Sequence, residues 1–578
     1  MRTLRIRQWR IWLLWILLIF GAMVMVKGLL DLFFMLANEA RGPVHEDYLL
    51  YTIIGRGMLN GLKPYVDLFE SKPPGMFLLA ALSLLFTGGE RLATAVEVLG
   101  FAGIPAAFGL YAWRQTRRME AQIWRGVITG IVVLFSIQLM LYVEEHSGAL
   151  QTESFGSFFG ILYVLSIGYE GKRTRVALIA RSLLLLGTAG MKEPFLLVAL
   201  AAALLLAKDA RHFVRVFLAP LILAGVFGML GLLVLGSFHS YFTLYLPAMQ
   251  MRIQELHAEP LLMRGLAVRR IFGNLVDFYI APLWGFVLLL LWILYPLLLT
   301  TDHRWKTAVF SLGMSLLLLH ILHSGYVLWD ATRMIADHSA RPSAYYWRQV
   351  IWLVSWTCLW IVLMATAFRR GRSLFWRHLA AGASLYLVCL AVGSGGNYND
   401  YHFAFAGPAY AALILPFLSH LRSDHASLFA FAPVALLLGI LVLFYHPSPM
   451  HMEKLQAWRR NGFAARASVT QQFDRLLDAC HLERFAVSQG VRMVAFAKHS
   501  PYGPLMEFAH PYLPSTHPLI RNTHDTIASR AMIMVGDPAS TFPDLAPLFG
   551  TNAPPCAKGL VPIANLQLSF RSPWKMPE

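Results

Sequence analysis

The sequence predicts a polytopic α-helical membrane protein with a small α/β domain at its C-terminal end, and three observations carry that prediction. Of 578 residues, 57% are hydrophobic and 14% charged, with a mean hydropathy of +0.54, a balance that places most of the chain in lipid. Apolar runs recur along residues 1–446, most of them near the ~20 residues that cross a bilayer. From about Pro447 to Glu578 the composition becomes that of a soluble domain.

The net charge of +17 would point to nucleic acid in a soluble protein. Here the basic residues gather in short turns between apolar segments, as the positive-inside rule requires. No basic run carries interleaved aromatics, so nucleic acid is not an expected partner.

At the N-terminus, Arg2, Arg5, Arg7 and Arg10 precede an apolar run from Ile11 to Leu36. That run is about twice a signal-peptide core and lacks a small-residue cleavage site, which predicts a retained helix with its amino end in the cytoplasm. About thirteen spans follow from the ~20-residue criterion: 11–36, 91–113, 123–143, 154–169, 176–191, 194–207, 213–235, 277–300, 308–328, 348–367, 378–395, 403–420 and 427–445. The odd count places the two termini on opposite sides. Charge agrees: Arg114, Arg117, Arg118, Lys172, Arg173, Arg175, Lys208, Arg211, Arg304, Lys306, Arg369, Arg370, Arg372 and Arg422 fall on the N-terminal side. Glu46, Asp47, Asp67, Glu70, Glu144, Glu145, Glu153 and Asp400 fall on the other.

The first external loop, 37–90, reads as two helices along the membrane surface. Asp47 to Asn60 carries Leu50, Ile53, Ile54 and Met58 on one stripe and stops at Asn60-Gly61, with Pro64 beyond. Met76 to Phe86 is apolar but too short to span, which predicts a helix lying in or dipping into the interface. In the soluble domain, Ser468 to Leu482 reads as an amphipathic helix, and Arg492 to Ala497 and Ala531 to Val535 as short buried strands. Cys480 and Cys556 are the one cysteine pair of this domain, and a disulfide or two free thiols both fit. Cys358 and Cys389 fall in membrane helices as small apolar residues. No spacing suits structural zinc.

Chemistry concentrates in the polar island from His45-Glu46-Asp47-Tyr48 to Lys72-Pro73-Pro74-Gly75. Glu46 and Asp47 open a surface helix, where a cap and a favourable dipole charge would also explain them. Arg56, Lys63, Asp67, Glu70 and Lys72 share their loop. Lys192-Glu193-Pro194 interrupts an apolar stretch, and ionisable groups at a bilayer are expensive and functional more often than not; an ordinary solvated turn is the alternative. Glu144, Glu145, His146 and Glu153, with His45, Glu46 and Asp47, offer ligands for a hard divalent ion such as Mg or Mn, though no spacing is diagnostic. Arg252, Arg264, Arg269 and Arg270 lie in an external loop against the positive-inside rule; guanidinium there suits a phosphate, or ordinary anionic lipid. Near the twelfth span, Asp400 and His402 are the polar candidates in Asn397-Tyr398-Asn399-Asp400-Tyr401-His402.

The order of an N-in helix, Glu46-Asp47, Gly55-Arg56, Gly61, Pro64-Tyr65-Val66-Asp67, Lys72-Pro73-Pro74-Gly75 and Arg91 resembles the membrane glycosyltransferases of the GT-C superfamily. The nearest branch is the bacterial one similar to protein O-mannosyltransferases and the aminoarabinose transferase of lipid A. The likeness covers the helical region in outline and is sharp over 45–91. It implies a membrane domain, here 1–446, followed by a variable extracytoplasmic domain, here 447–578. It implies that Asp47 or Glu46 is the first-loop catalytic base, that Lys72 holds the lipid phosphate, that Glu153 is the second-loop acidic residue, and that Lys192 is the lysine after the fifth span. Met191 stands where the family pattern has threonine, and Glu193-Pro194 follows.

The expected activity is sugar transfer from a polyprenyl-phosphate donor to a hydroxyl of a glycan, lipid or protein, with inversion, on the external face of a bacterial cytoplasmic membrane. Such a leaving group needs no proton donor, since its second pKa is near ~6, so one carboxylate base suffices. Lys72, Arg56, Arg269, Arg270 and Lys192 are the candidate phosphate ligands, with Glu153, Glu145, His146 and His402 as further substrate or metal candidates. A hydrolase would need two opposed carboxylates. The rival classes are a transporter or flippase for a lipid-linked or anionic substrate, which should show internal repeats that the sequence lacks, and a non-catalytic assembly subunit.

Overall fold

A computed structural model of the chain describes residues 2–41, 46–118, 122–169, 174–256, 261–266, 344–370, 372–395, 400–420, 463–488, 491–503, 516–563 and 566–574, with single positions at 292, 295, 321, 325, 328 and 513. Its helices are α1 (Arg2–Arg41), α2 (Glu46–Leu59), α3 (Gly75–Thr87), α4 (Arg91–Gln115), α5 (Gln122–Ser147), α6 (Thr152–Gly168), α7 (Thr174–Met191) and α8 (Phe195–Leu206). There follow α9 (Ala210–Val234, with a π-helical turn at Val214–Leu218), α10 (Leu246–Leu256), α11 (Ala344–Arg370), α12 (Arg372–Val392) and α13 (Gly407–His420).

Among the described residues, five helices are long and apolar enough to cross a membrane: α1 over Ile19–Ala40, α4, α5 over Trp124–Ser147, α9, and α12 over Phe375–Val392. Shorter apolar helices are α3, α8 and the Leu353–Arg369 part of α11. α6 and α7 stand where the fourth and fifth spans are predicted but are not among the five. The predicted spans 277–300 and 308–328, apart from single positions, and 427–445 lie outside the described residues.

α1 reaches beyond its predicted span at both ends, to roughly 60 Å at ~1.5 Å per residue. Within it, Lys27 pairs with Asp31 one turn away at 2.7 Å. α2 and α3 form where two short helices are expected and pack on each other. α3 is 13 residues long, roughly 20 Å, short of the ~30 Å hydrocarbon core. Gly88 ends it in the left-handed region at φ 70°, its N–H donating to the Leu84 carbonyl.

Small residues let the central helices approach. Ala201, Ala202 and Ala203 of α8 are buried, and Ser384 of α12 donates to the Ala201 carbonyl at 2.9 Å. On α6, a side chain at Gly156 would meet the Phe195 ring and one at Gly160 would meet Pro408. Ser157 donates across to the Ala404 carbonyl at 2.9 Å. These are the packing and hydrogen-bonding devices of helices in lipid.

The C-terminal domain comprises α14 (Phe463–Ala479), β1 (Arg484–Val487), β2 (Ser500–Pro501), α15 (Pro518–Arg530), β3 (Ile533–Val535), β4 (Phe549–Gly550) and β5 (Leu568–Arg571). The sheet order is β2-β1-β3-β5-β4, with β1 parallel to β2 and β3, and β5 antiparallel to β3 and β4. Phe473, Leu476, Phe485, Ile533 and Phe570 are among its buried side chains. Cys480 and Cys556 form a disulfide.

One expectation is corrected. Arg492 to Ala497 is not a strand: Val491–Val494 is a 3-10 turn, and the first strand is β1. The run is buried, as its apolar character demands, with Val494, Ala495 and Ala497 in the core. A short apolar run can satisfy burial as strand or as helical turn, and periodicity alone does not separate them. The Thr470 hydroxyl donates to the Met493 carbonyl, so α14 lies against this turn.

Candidate functional site

Four segments meet at one end of the helical region: the first turn of α2, the loop before α3, the first turn of α6, and the turn between α7 and α8. They bring Asp47, Lys72, Glu153 and Lys192 into one electrostatic neighbourhood. Lys192 Nζ forms an ion pair with Glu153 Oε1, and both side chains are largely buried. The other carboxylate oxygen of Glu153 accepts from the Thr152 hydroxyl at 2.6 Å. Asp47 and Glu153 both lie in first turns of helices, where the helix dipole favours negative charge.

Backbone geometry holds Lys72 in place. Gly75 packs so closely on the end of α7 that a Cβ there would collide with the Gly190 carbonyl, which fixes the Lys72-Pro73-Pro74-Gly75 turn beside Lys192. Tyr65 donates its hydroxyl to the Lys72 carbonyl at 2.6 Å. Tyr65 has φ 65°, a left-handed conformation that costs a bulky residue on the order of 1–3 kcal/mol. Its ring is fully buried among Phe69, Phe77, Tyr241 and Tyr245, the closest centroid at 4.8 Å, and that packing offsets the strain.

The two lysines differ electrostatically. Burial would push Lys72 down, but Asp47, Glu153, Tyr401 and Glu70 outweigh it and hold the ammonium above the ordinary lysine range. Lys192 is pushed down to about 8, by burial first and against the pull of Glu153, with Lys72 repelling it further. Its Nζ stands 5.0 Å from the Tyr401 ring centre and 5.2 Å from that of Phe405, close enough for cation–π attraction.

Tyr51 completes the cluster from α2, one turn beyond Asp47 and on the same face. It is 1% exposed, and its hydroxyl has no hydrogen-bond partner among the described residues. Asp47, Glu153, Glu70 and Tyr401 surround it electrostatically. A buried hydroxyl without a partner costs about 1–3 kcal/mol, so a substrate acceptor atom would relieve it. Glu70, also buried, accepts from the Ser71 N–H and hydroxyl at 2.8 Å through one oxygen, leaving the other without a partner among the described residues.

Glu46 is the first residue of α2, while His45, Arg269 and Arg270 lie outside the described residues. Arg56 is attracted to Asp474 of the C-terminal domain. Arg264 is fully buried and donates to the Ser394 and Gly393 carbonyls at 2.8 and 3.4 Å, so it ties down the end of α12. Glu193 accepts from Tyr245 and Tyr241 at 2.8 and 3.3 Å.

His146 packs its ring on Tyr142 and Phe403 at 4.6 and 5.7 Å, beside the half-buried Glu145. His402 stacks on Phe405 at 5.4 Å and lies edge-on to Tyr401 at 4.5 Å, behind the aromatic wall under Lys192. Glu144 groups with Glu39 and Glu97. Among the described residues, no set of three or more His, Cys, Asp or Glu side chains is arranged to hold a metal ion.

Sequence reasoning passed over Tyr51, Tyr65, Tyr401 and Glu97. The first was reachable, being four residues from Asp47. Glu97 was hidden inside an apolar helix; both its oxygens accept from the Leu150 N–H at 2.9 Å, which docks the loop before α6 onto α4. No protein-family model matches the chain, and no match is found among curated proteins or solved structures.

Proposed function

We propose that the protein is a membrane glycosyltransferase that moves a sugar from a polyprenyl-phosphate donor to an acceptor hydroxyl on the extracytoplasmic face. The observation that carries this reading is the meeting of Asp47, Lys72, Glu153 and Lys192 from four segments at one end of the helical region. Two lysines beside two carboxylates, half-closed from water, suit an anionic leaving group and a single base.

Lys72 takes the donor phosphate, because the charge of Lys192 is already committed to Glu153. Lys192 adds positive potential and, through the Glu153 pair, keeps its place against the Tyr401 ring. The Tyr51 hydroxyl donates to a phosphate or sugar oxygen. Asp47 serves as the base, since its charge acts on both lysines. It accepts the acceptor's hydroxyl proton while that oxygen bonds to the anomeric carbon and the bond from that carbon to the phosphate oxygen breaks. The products are the inverted glycoside and the free lipid phosphate.

The layout expected from the sequence supports this reading: about thirteen spans, an N-terminus in the cytoplasm and residues 447–578 outside a bacterial inner membrane. The Cys480–Cys556 disulfide suits an oxidising compartment. A cleft of about 540 Å³ between the α3–α4 turn and α14, lined by Glu90, Arg91, Asp474, Arg475 and Lys498, gives a polar acceptor a place to dock.

The test is sugar transfer from radiolabelled polyprenyl-phosphate donors in membranes carrying wild type, Glu46→Gln, Asp47→Asn or Lys72→Ala at matched expression. Asp47→Asn should lose on the order of 10²–10⁴-fold in rate, Lys72→Ala should lose donor binding and rate, and Glu46→Gln should stay within a few-fold of wild type. Undiminished transfer in the Asp47 and Lys72 variants removes this site from the reaction. No transfer by wild type with any donor overturns the enzymatic reading in favour of transport.

A further inference from the structure

At the opposite end of the helices lies a larger cavity, of about 1070 Å³. The distance between the two ends follows from α6, which begins beside Glu153 and ends at Gly168 on the cavity: roughly 22 Å at ~1.5 Å per residue, approaching the depth of a hydrocarbon core. α4 and α8 likewise start at the carboxylate–lysine end and finish at the cavity, with Tyr111 and Leu205 on its lining. α1 begins at this end too, because its other end precedes α2 and Asp47. It is the face that the charge distribution assigns to the cytoplasm.

The cavity is amphipathic. One wall is aliphatic, with Leu205, Leu206, Ala380, Ala383 and Leu415, and the buried Tyr295 donates its hydroxyl to the Leu205 carbonyl beside it. The mouth carries the exposed Lys208, the half-buried Arg377 and Trp376, which is 59% exposed. Asp209 is the one carboxylate on the lining among the described residues. Its side chain caps α9, accepting from the His212 N–H at 2.7 Å, so part of its charge is answered by a helix N-terminus. Among the described lining residues, Lys208 and Arg377 thus outnumber the single carboxylate, Asp209.

We propose that this cavity binds the phosphate headgroup of an anionic membrane lipid from the leaflet opposite the carboxylate–lysine site. Arg377 and Lys208 meet the phosphate, with the guanidinium able to bind two of its oxygens. Trp376 lies at headgroup level, where indole is favoured, and the aliphatic wall takes the first carbons of a chain. Basic pockets between helices on the cytoplasmic side are suited to such headgroups. Charge complementarity and the joined apolar wall select a lipid phosphate over a neutral lipid, and over a soluble anion that would leave the wall unfilled.

The experiment uses the full chain, delipidated in a neutral detergent and titrated with dioctanoyl phosphatidylglycerol, dioctanoyl phosphatidylcholine or inorganic phosphate, with bound species counted by native mass spectrometry. Phosphatidylglycerol should bind at least about tenfold more tightly than phosphatidylcholine, and Arg377→Gln combined with Lys208→Gln should erase that preference. Equal binding of the two lipids, or an undiminished preference in the double variant, overturns the proposal. Inorganic phosphate binding as tightly as phosphatidylglycerol overturns it in favour of a soluble anion. Should the double variant not fold, photoactivatable phosphatidylglycerol on the wild-type protein decides: label in 204–213 and 376–383 supports the site, and label only elsewhere refutes it.

Discussion

Lys192 and Lys72 are neighbours with opposite electrostatic fates, and the difference makes the site sensitive to pH. Lys192 is brought to about 8 by burial, with Lys72 adding to the effect, whereas Lys72 is held above its usual range by the carboxylates around it. Lowering a lysine's pKa means its cation is present below that value and lost above it, so the site sheds positive charge as pH rises through about 8 while Lys72 stays protonated. Under the proposed reaction, initial rates of sugar transfer should accordingly fall by at least half between pH 7 and 9, and Lys192→Arg, which cannot deprotonate in that range, should carry the plateau upward. A profile flat to pH 9 in wild type would detach Lys192 from the reaction. Much of this chemistry was legible in the sequence: Asp47, Lys72, Glu153 and Lys192 all stood out as charges at lipid boundaries. What could not be read was pairing, because which lysine neutralises Glu153 depends on how the α7–α8 turn meets α6.

At the scale of elements, the site is assembled by close backbone approach, and one glycine carries most of it. A Cβ on Gly75 would overlap the Gly190 carbonyl, whereas a Cβ on Gly190 would make only ordinary contact with Gly75 at 4.0 Å. The two substitutions should thus behave asymmetrically. Gly75→Ala gains helix propensity at the start of α3 yet forces the Lys72 turn away from α7, at a cost of about 1–3 kcal/mol. Gly190→Ala should be tolerated. Thermal unfolding of the detergent-solubilised protein should show a lowered midpoint for Gly75→Ala alone, accompanied by loss of sugar transfer, and equal effects from both variants would contradict this packing. The sequence announced the Lys-Pro-Pro-Gly turn and the shortness of the helix after it, since those are local properties. It did not announce the partner of Gly75, and it misread Arg492–Ala497 as a strand because burial, not periodicity, was the stronger signal there.

Across the whole molecule, the C-terminal domain is joined to the segment from α2 to the start of α3 and not merely tethered after the helices. The Asn60 amide donates to the Lys498 carbonyl at 3.1 Å and to the Ser500 hydroxyl at 2.9 Å. Arg56 is attracted to Asp474, Arg484 is attracted to Asp67, and Gly503 lies close against the Asp67 carbonyl. These contacts link residues more than 400 apart in sequence, which is why composition could mark a soluble domain but not say where it docks. Asn60→Ala removes both hydrogen bonds, each worth about 0.5–1.5 kcal/mol net, so roughly 1–3 kcal/mol of docking free energy is lost. Where domain opening limits exchange, amides in 46–60 and 498–503 should exchange about five- to hundredfold faster. Amides of α14 and β3 should be unaffected, because the Cys480–Cys556 bond and the core of the domain hold them independently of docking. Uniformly faster exchange would instead mean that Asn60 stabilises the domain itself. Transfer measured on the same variant then separates two roles: a fall in rate at saturating donor would make the docked domain part of the acceptor path, whereas an unchanged rate would leave it a cover over α2.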